Sequence, residues 1–158
     1  LKMSNERVEE ARNFANKLFN ATKFALRAID GAAIERDGDG APLLPQRDAM
    51  SIADAWIVTR LHETIADVNR LVDAYQLHEA GRALYAFIWS ELCDWYIEAA
   101  KVRLYAGAPD PVVPQTLAYV LERTLRLLHP FMPFVTEEIW SSWPGKNDLL
   151  MVEEWPVK

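Results

Sequence analysis

One cysteine, Cys93, stands in 158 residues, so no internal disulfide can form. The core alone must hold such a chain, which fits a reducing, cytoplasmic setting. The histidines His62, His78 and His129 are scattered and with Cys93 show no zinc spacing. Only six glycines occur, none in a phosphate-cradling loop. No apolar run approaches the ~20 residues of a membrane span, so no membrane contact is expected. The chain opens on Leu1 with no charged-then-apolar leader, which reads as a piece of a longer protein without a signal peptide. Basic excess is missing too: 17 Lys and Arg face 23 Asp and Glu, a net charge of −6. Taken alone, that counts against a nucleic-acid binder.

What is present is helical periodicity. Half of the residues are apolar (51%) and a quarter charged (25%), enough for one domain over 1–158. Apolar positions recur at 3.6-residue spacing, and strand-like alternation is rare. The spacing predicts an all-α fold, an antiparallel helical bundle of about five helices. These span about 5–29, 51–75, 77–105, 115–129 and 135–143, with Ser4 capping the first. The first buries Val8, Ala11, Ala15, Leu18, Thr22, Ala25, Leu26 and Ile29. The third is apolar nearly all round and is therefore expected at the centre, with Glu91, Asp94, Glu98 and Lys101 as its polar seam. The segment 30–48, with Asp37-Gly38-Asp39-Gly40, reads as an exposed, mobile loop. Residues 149–152 read as extended.

Charge is unevenly spread. Residues 1–27 hold six basic groups against three acids. Within them Asn13, Asn16, Asn20, Lys23 and Arg27 follow one another at intervals of 3, 4, 3 and 4, which keeps them in one stripe opposite the core. Asparagine suits an exposed helix interior poorly, because its amide competes with the backbone. Its paired donor and acceptor do match the edge of an unpaired base. Lys17, Lys23 and Arg27 would hold phosphates, and Phe24 beside them would stack on a base. Trp56, roughly 140° from the apolar face of the second helix at ~100° per residue, could stack likewise beside Arg60. Each has a plainer reading: a solvated polar face, Phe24 under the loop, Trp56 and Ile52 against the loop or the first helix. Asp94 and Glu98 resemble a catalytic carboxylate pair, but Lys101 one turn later and arginines elsewhere can neutralise them, which makes an ion-pair network the better reading. Trp89, Trp95, Trp140 and Trp143 read as core.

Three blocks then stand out in order: Asn13-Phe14-Ala15-Asn16-Lys17-Leu18-Phe19-Asn20-Ala21, Cys93-Asp94-Trp95-Tyr96-Ile97-Glu98-Ala99-Ala100-Lys101, and Leu127 to Trp140 with its His129-Pro130-Phe131-Met132-Pro133-Phe134 corner. Together they resemble the anticodon-binding domain of class I aminoacyl-tRNA synthetases, and most of all the valyl branch. Phe19 and Val102 depart from the tryptophan and proline frequent there. The resemblance implies a helical bundle that grips the anticodon arm of a valine tRNA, alongside other domains of a parent synthetase. It implies tRNA contact by Asn16, Asn20, Lys23, Phe24 and Arg27, and less firmly by Trp56. ATP and magnesium would serve the parent's catalytic domain, with no catalytic residue, cofactor or metal here. Lys2-Met3-Ser4 imitates the lysine-rich catalytic signature but continues Asn5-Glu6, and no His-x-Gly-His run occurs. The alternatives are an isoleucyl or leucyl relative, a helical protein-interaction module, and an enzyme working through Asp94 and Glu98.

Overall fold

The computed structural model describes residues 5–107, 110–145 and 148–157. The Ser4 cap and the Lys2-Met3-Ser4 run lie outside the described residues. The helices are α1 (Asn5–Asp30), α2 (Ile52–Asp73), α3 (Leu77–Ala86), α4 (Ile97–Leu104), α5 (Val112–Leu128) and α6 (Pro133–Trp140). A π-helical stretch, Phe87–Tyr96, joins α3 to α4 without a break, so residues 77–104 form one rod and the bundle has the five expected rods. The bonds of Arg60 to Glu91 and of Asp54 to Tyr96 and Arg103 set α2 antiparallel to the third rod. Among the described residues no strand forms, and the only bridge pairs Arg36 with Pro42. The segment expected to be extended carries a 3₁₀ turn, Leu150–Val152.

The centre is α5, not the third rod. Val113 to Glu122 are all buried along α5, whereas the α3–α4 rod leaves Tyr85, Trp95, Val102 and Tyr105 exposed. The third rod looked apolar all round for a geometric reason. Among its buried residues, Ala80, Leu84, Ile88, Leu92, Tyr96 and Ala100 repeat every fourth position, with Phe87, Cys93 and Ile97 beside them. On a helix of 3.6 residues per turn such a series creeps around the wheel. The π stretch, which turns the chain less per residue, absorbs the creep and keeps one face inward. Trp95 is consequently 72% exposed, while Trp140 and Trp143 are core.

At α1 the buried face is Phe14, Leu18, Thr22, Ala25 and Ile29; Val8 is half exposed and Ala11 exposed. The first two turns therefore extend past the bundle. The 31–50 segment is pinned rather than loose. The Gln115 amide accepts from Glu35 N at 2.8 Å and donates to Glu35 O and Leu43 O, while Arg36 donates to Gly40 O and Pro144 O. The proline corner is closed by His129 Nδ1 against Thr136 Oγ1 at 2.9 Å, although Phe134 itself points to solvent, 91% exposed.

The start of α2 carries a capping box, Ser51 with Asp54. Asp54 is fully buried. It accepts from Tyr96 Oη at 2.7 Å and from Arg103 Nη1 at 2.5 Å, and Arg103 is also bound to Asp110. Burial alone would raise the Asp54 carboxyl, but the bonds from Tyr96, Arg103 and Ser51 together outweigh it and hold it below its ordinary value.

Two stability outcomes follow. Leu61, fully buried, should cost about 2–5 kcal/mol as Leu61→Ala, whereas Trp95→Ala should stay within about 0.5 kcal/mol, both read by denaturant unfolding. Asp54 titrates lower when folded, so its contribution is present above the unfolded value of 3.8 and fades as pH falls through the folded one. Asp54→Ala should cost about 3–5 kcal/mol at neutral pH, because it strands Arg103, and its deficit should shrink in acid unfolding curves below about pH 4.

Candidate nucleic-acid interface

The buried face of α1 decides what its opposite face can do. With Phe14, Leu18, Ala25 and Ile29 turned inward, Asn13, Asn16, Asn20, Lys23 and Arg27 all stand exposed in one row. Among the described residues, none of these five side chains makes a hydrogen bond or ion pair. Elsewhere cations are mostly spent. Arg60 is held by Glu91 and Glu63, Lys101 by Glu98, Arg103 by Asp54 and Asp110, and Arg126 by Glu122 and Glu153. The row on α1 is thus a site of uncommitted positive charge on an acidic protein.

The flanks of the row differ from the sequence expectation. Lys17 does not face out with Lys23. Its Nζ sits 3.7 Å from the centre of the Trp89 ring and 2.5 Å from Asp94 Oδ1. Trp89 in turn stacks in a slab with Tyr85 and Phe14, ring centres 5.7 and 6.4 Å away. Lys17 therefore clamps α1 to the third rod and is not available to a phosphate. Phe24 is half-buried, with its ring 6.5 Å from that of Tyr105 and Lys101 Nζ at 5.4 Å. It is the inner member of a pair whose outer member, Tyr105, is 75% exposed. The residue-level reading passed over Tyr105. The signal was there, since Tyr105 lies one turn beyond Lys101 on a helix that runs beside α1.

Trp56 belongs elsewhere. It is 38% exposed on α2, with Ile52 one turn before it 91% exposed, so Ile52 does not pack under the loop. The Arg60 guanidinium beside it bonds Glu91 at 2.7 and 3.0 Å, and this drives its pKa further up. That bridge sets the level of the two antiparallel helices. Trp56, one turn back on α2, therefore lies level with Trp95, one turn on from Glu91. No described contact joins Trp56 to the α1 row. The structure thus gathers Asn16, Asn20, Lys23 and Arg27, keeps Phe24 at their edge, and sets Trp56 apart.

The carboxylates of the seam hold no reactive arrangement. Asp94 is tied to Lys17, and Glu98 to Lys101 at 2.6 Å. Cys93 is buried, which pushes its thiol up to about 11 despite the pull of Lys17. Among the described residues no three His, Cys, Asp or Glu side chains are grouped to hold a metal ion, and no helix is long and apolar enough to cross a membrane.

Comparison with known proteins adds three findings. The valine–tRNA ligase of Halalkalibacterium halodurans is 50% identical over 157 residues, 97% of this chain, and that of Bacillus subtilis 48% identical over 159 residues, 99% of this chain. In both, the chain spans 17% of the relative's length. A LeuRS from Agrobacterium radiobacter K84, solved in a ternary complex with tRNA and LeuAMS, shares the fold with a TM-score of 0.65 at 23% identity, over 99% of this chain and 17% of that one. Residues 54–158 match the family described as the anticodon-binding domain of tRNA ligase. With that match across most of the helical bundle, the chain belongs to the anticodon-binding domain family of tRNA ligases.

Proposed function

We propose that this domain grips the anticodon arm of a valine tRNA as part of a cytoplasmic valine–tRNA ligase, the enzyme that attaches valine to its tRNA with ATP. The observation that carries this is the α1 row: three amides and two cations, none with a described hydrogen-bond or ion-pair partner, on an exposed helix face. Valine codons begin with G and U, so every valine anticodon ends in A then C. An asparagine amide matches the donor and acceptor of an adenine edge, and Asn16 or Asn20 presents one. Lys23 and Arg27 supply the phosphate contacts that position the loop. Phe24, braced by Tyr105, provides the aromatic edge against which an unstacked base lies. The remaining five-sixths of the ligase would bring the ATP and magnesium chemistry. Trp56 is left out of this surface. It is exposed, as are Ile52, Trp95 and Val102, and the cation beside it, Arg60, is already paired, which suits contact with protein, such as the rest of the ligase, better than with phosphate.

Titration of a valine tRNA at several salt concentrations tests the assignment. Arg27→Ala should weaken binding to all sequences alike and flatten the salt dependence by about one phosphate contact. Lys17→Ala should leave that slope as it is, since Lys17 is already committed to Asp94 and Trp89. Asn20→Ala should lower discrimination at the middle anticodon base by about 1–3 kcal/mol. Equal penalties for an altered base in wild type and mutant would remove Asn20 from the reading surface, and an unchanged slope in Arg27→Ala would remove Arg27.

A further inference from the structure

The α1 row does not end in open solvent. Below Lys23 and Arg27 runs a groove of about 400 Å³ between α1 and α6, within the ~300–1,000 Å³ of small-ligand sites. Phe19 and Leu26 form its α1 wall, and Ile139 with Pro144 the other. Asp30, at the C-terminal end of α1, also lines it.

Three properties of the groove point to the same class of ligand. Its rim carries Lys23 and Arg27, both without an acidic partner among the described residues, so it attracts an anion. Its wall offers an aromatic face: Phe19 is 41% exposed, on the opposite flank of α1 from Phe24, and a planar ring can lie against it. Its lining includes a carboxylate in an unfavourable place. Asp30 is the last residue of α1, where the helix dipole disfavours negative charge, and it has no hydrogen-bond or ion-pair partner among the described residues. A carboxylate there can accept from a base amine, as acidic side chains do from cytosine N4, and repels a base that offers a carbonyl oxygen in that position.

We infer that the α1–α6 groove receives one unstacked, amine-bearing base of the bound RNA, adenine or cytosine in preference to uracil. The base lies on Phe19, its amine donates to Asp30, and its flanking phosphates meet Lys23 and Arg27. This rests on the anticodon-binding reading and extends it. The A and C that end every valine anticodon both carry such an amine, so one of them has a place on the α6 flank of α1, away from Phe24.

The test is a fluorescence-anisotropy titration of this chain with a valine anticodon stem-loop, and with two versions in which the A or the C becomes U. Wild type should discriminate against uracil by about tenfold at one of the two positions. Asp30→Asn, an exposed change, should bring that ratio to about threefold or less. Ser142→Trp, which plugs the groove from its exposed opposite wall, should weaken the parent hairpin by about fivefold or more while circular dichroism stays that of wild type. If Asp30→Asn keeps the full ratio and Ser142→Trp binds like wild type, while Arg27→Ala still loses affinity, the groove assignment fails and the α1 reading stands. If wild type does not bind the hairpin even at low salt, the underlying reading fails and the groove assignment with it.

Discussion

The buried carboxylate of Asp54 is the constraint from which the arrangement of the bundle descends. A charge removed from water is tolerated only where it is bonded on every side, and Asp54 meets that demand by drawing in Ser51 from its own helix start, Tyr96 from the π stretch and Arg103 from α4. Those bonds fix where α4 stands beside α2. The third rod then decides how α1 lies, because Lys17 seats on Trp89 and Asp94, and Phe24 on Tyr105 and Lys101. Once α1 is clamped along that flank, and its Leu18–Ile29 face is sunk against α5, its remaining side can only face outward.

Pairing explains how an acidic chain can present a polyanion-binding face. Net charge acts at long range and is screened within about 10 Å at ordinary salt. What a phosphate meets at contact is the local set of unneutralised donors. Arg60, Arg103 and Arg126 are consumed internally, on Glu91, Asp54, Glu122 and Glu153, and Arg12, Arg70 and Arg82 pair with acids one turn away on their own helices. Lys23 and Arg27 escape this pairing: on the outward side of α1, neither forms an ion pair with a described carboxylate. The deficit of −6 is therefore compatible with a small, strong cationic row, as the sequence hinted in the basic bias of residues 1–27.

Much of the fold was legible because helical period and punctuation agree. The five rods, the asparagine-basic row and the turn at Pro130–Pro133 all follow from local rules. The misreadings share one cause, namely tertiary geometry that leaves no local trace. The fourfold repeat from Ala80 to Ala100 looks like an all-round apolar helix until a π stretch is allowed for, so the pattern alone puts Trp95 in the core and the third rod, not α5, at the centre. The loop after α1 looks free until Gln115, 80 residues away, is seen holding Glu35. Lys17 looks like a phosphate ligand until Asp94, 77 residues on, is seen to claim it. The Ser51–Asp54 box was readable from spacing alone, but its burial was not, because that depends on Tyr96 and Arg103 arriving from the third rod.

The same geometry gives the two flanks of α1 different duties. On the α4 flank, Phe14, Lys17 and Phe24 are drawn into protein contacts, so a base there meets a surface already braced and stiff. On the α6 flank, Phe19, Lys23 and Asp30 face a groove that no described side chain fills. Preorganised surfaces lose less freedom on binding than mobile ones, so the braced flank suits recognition by edge and the open flank suits insertion. A helix that is clamped on one side and undercut on the other can hold two neighbouring bases apart, which a flat polar face cannot do.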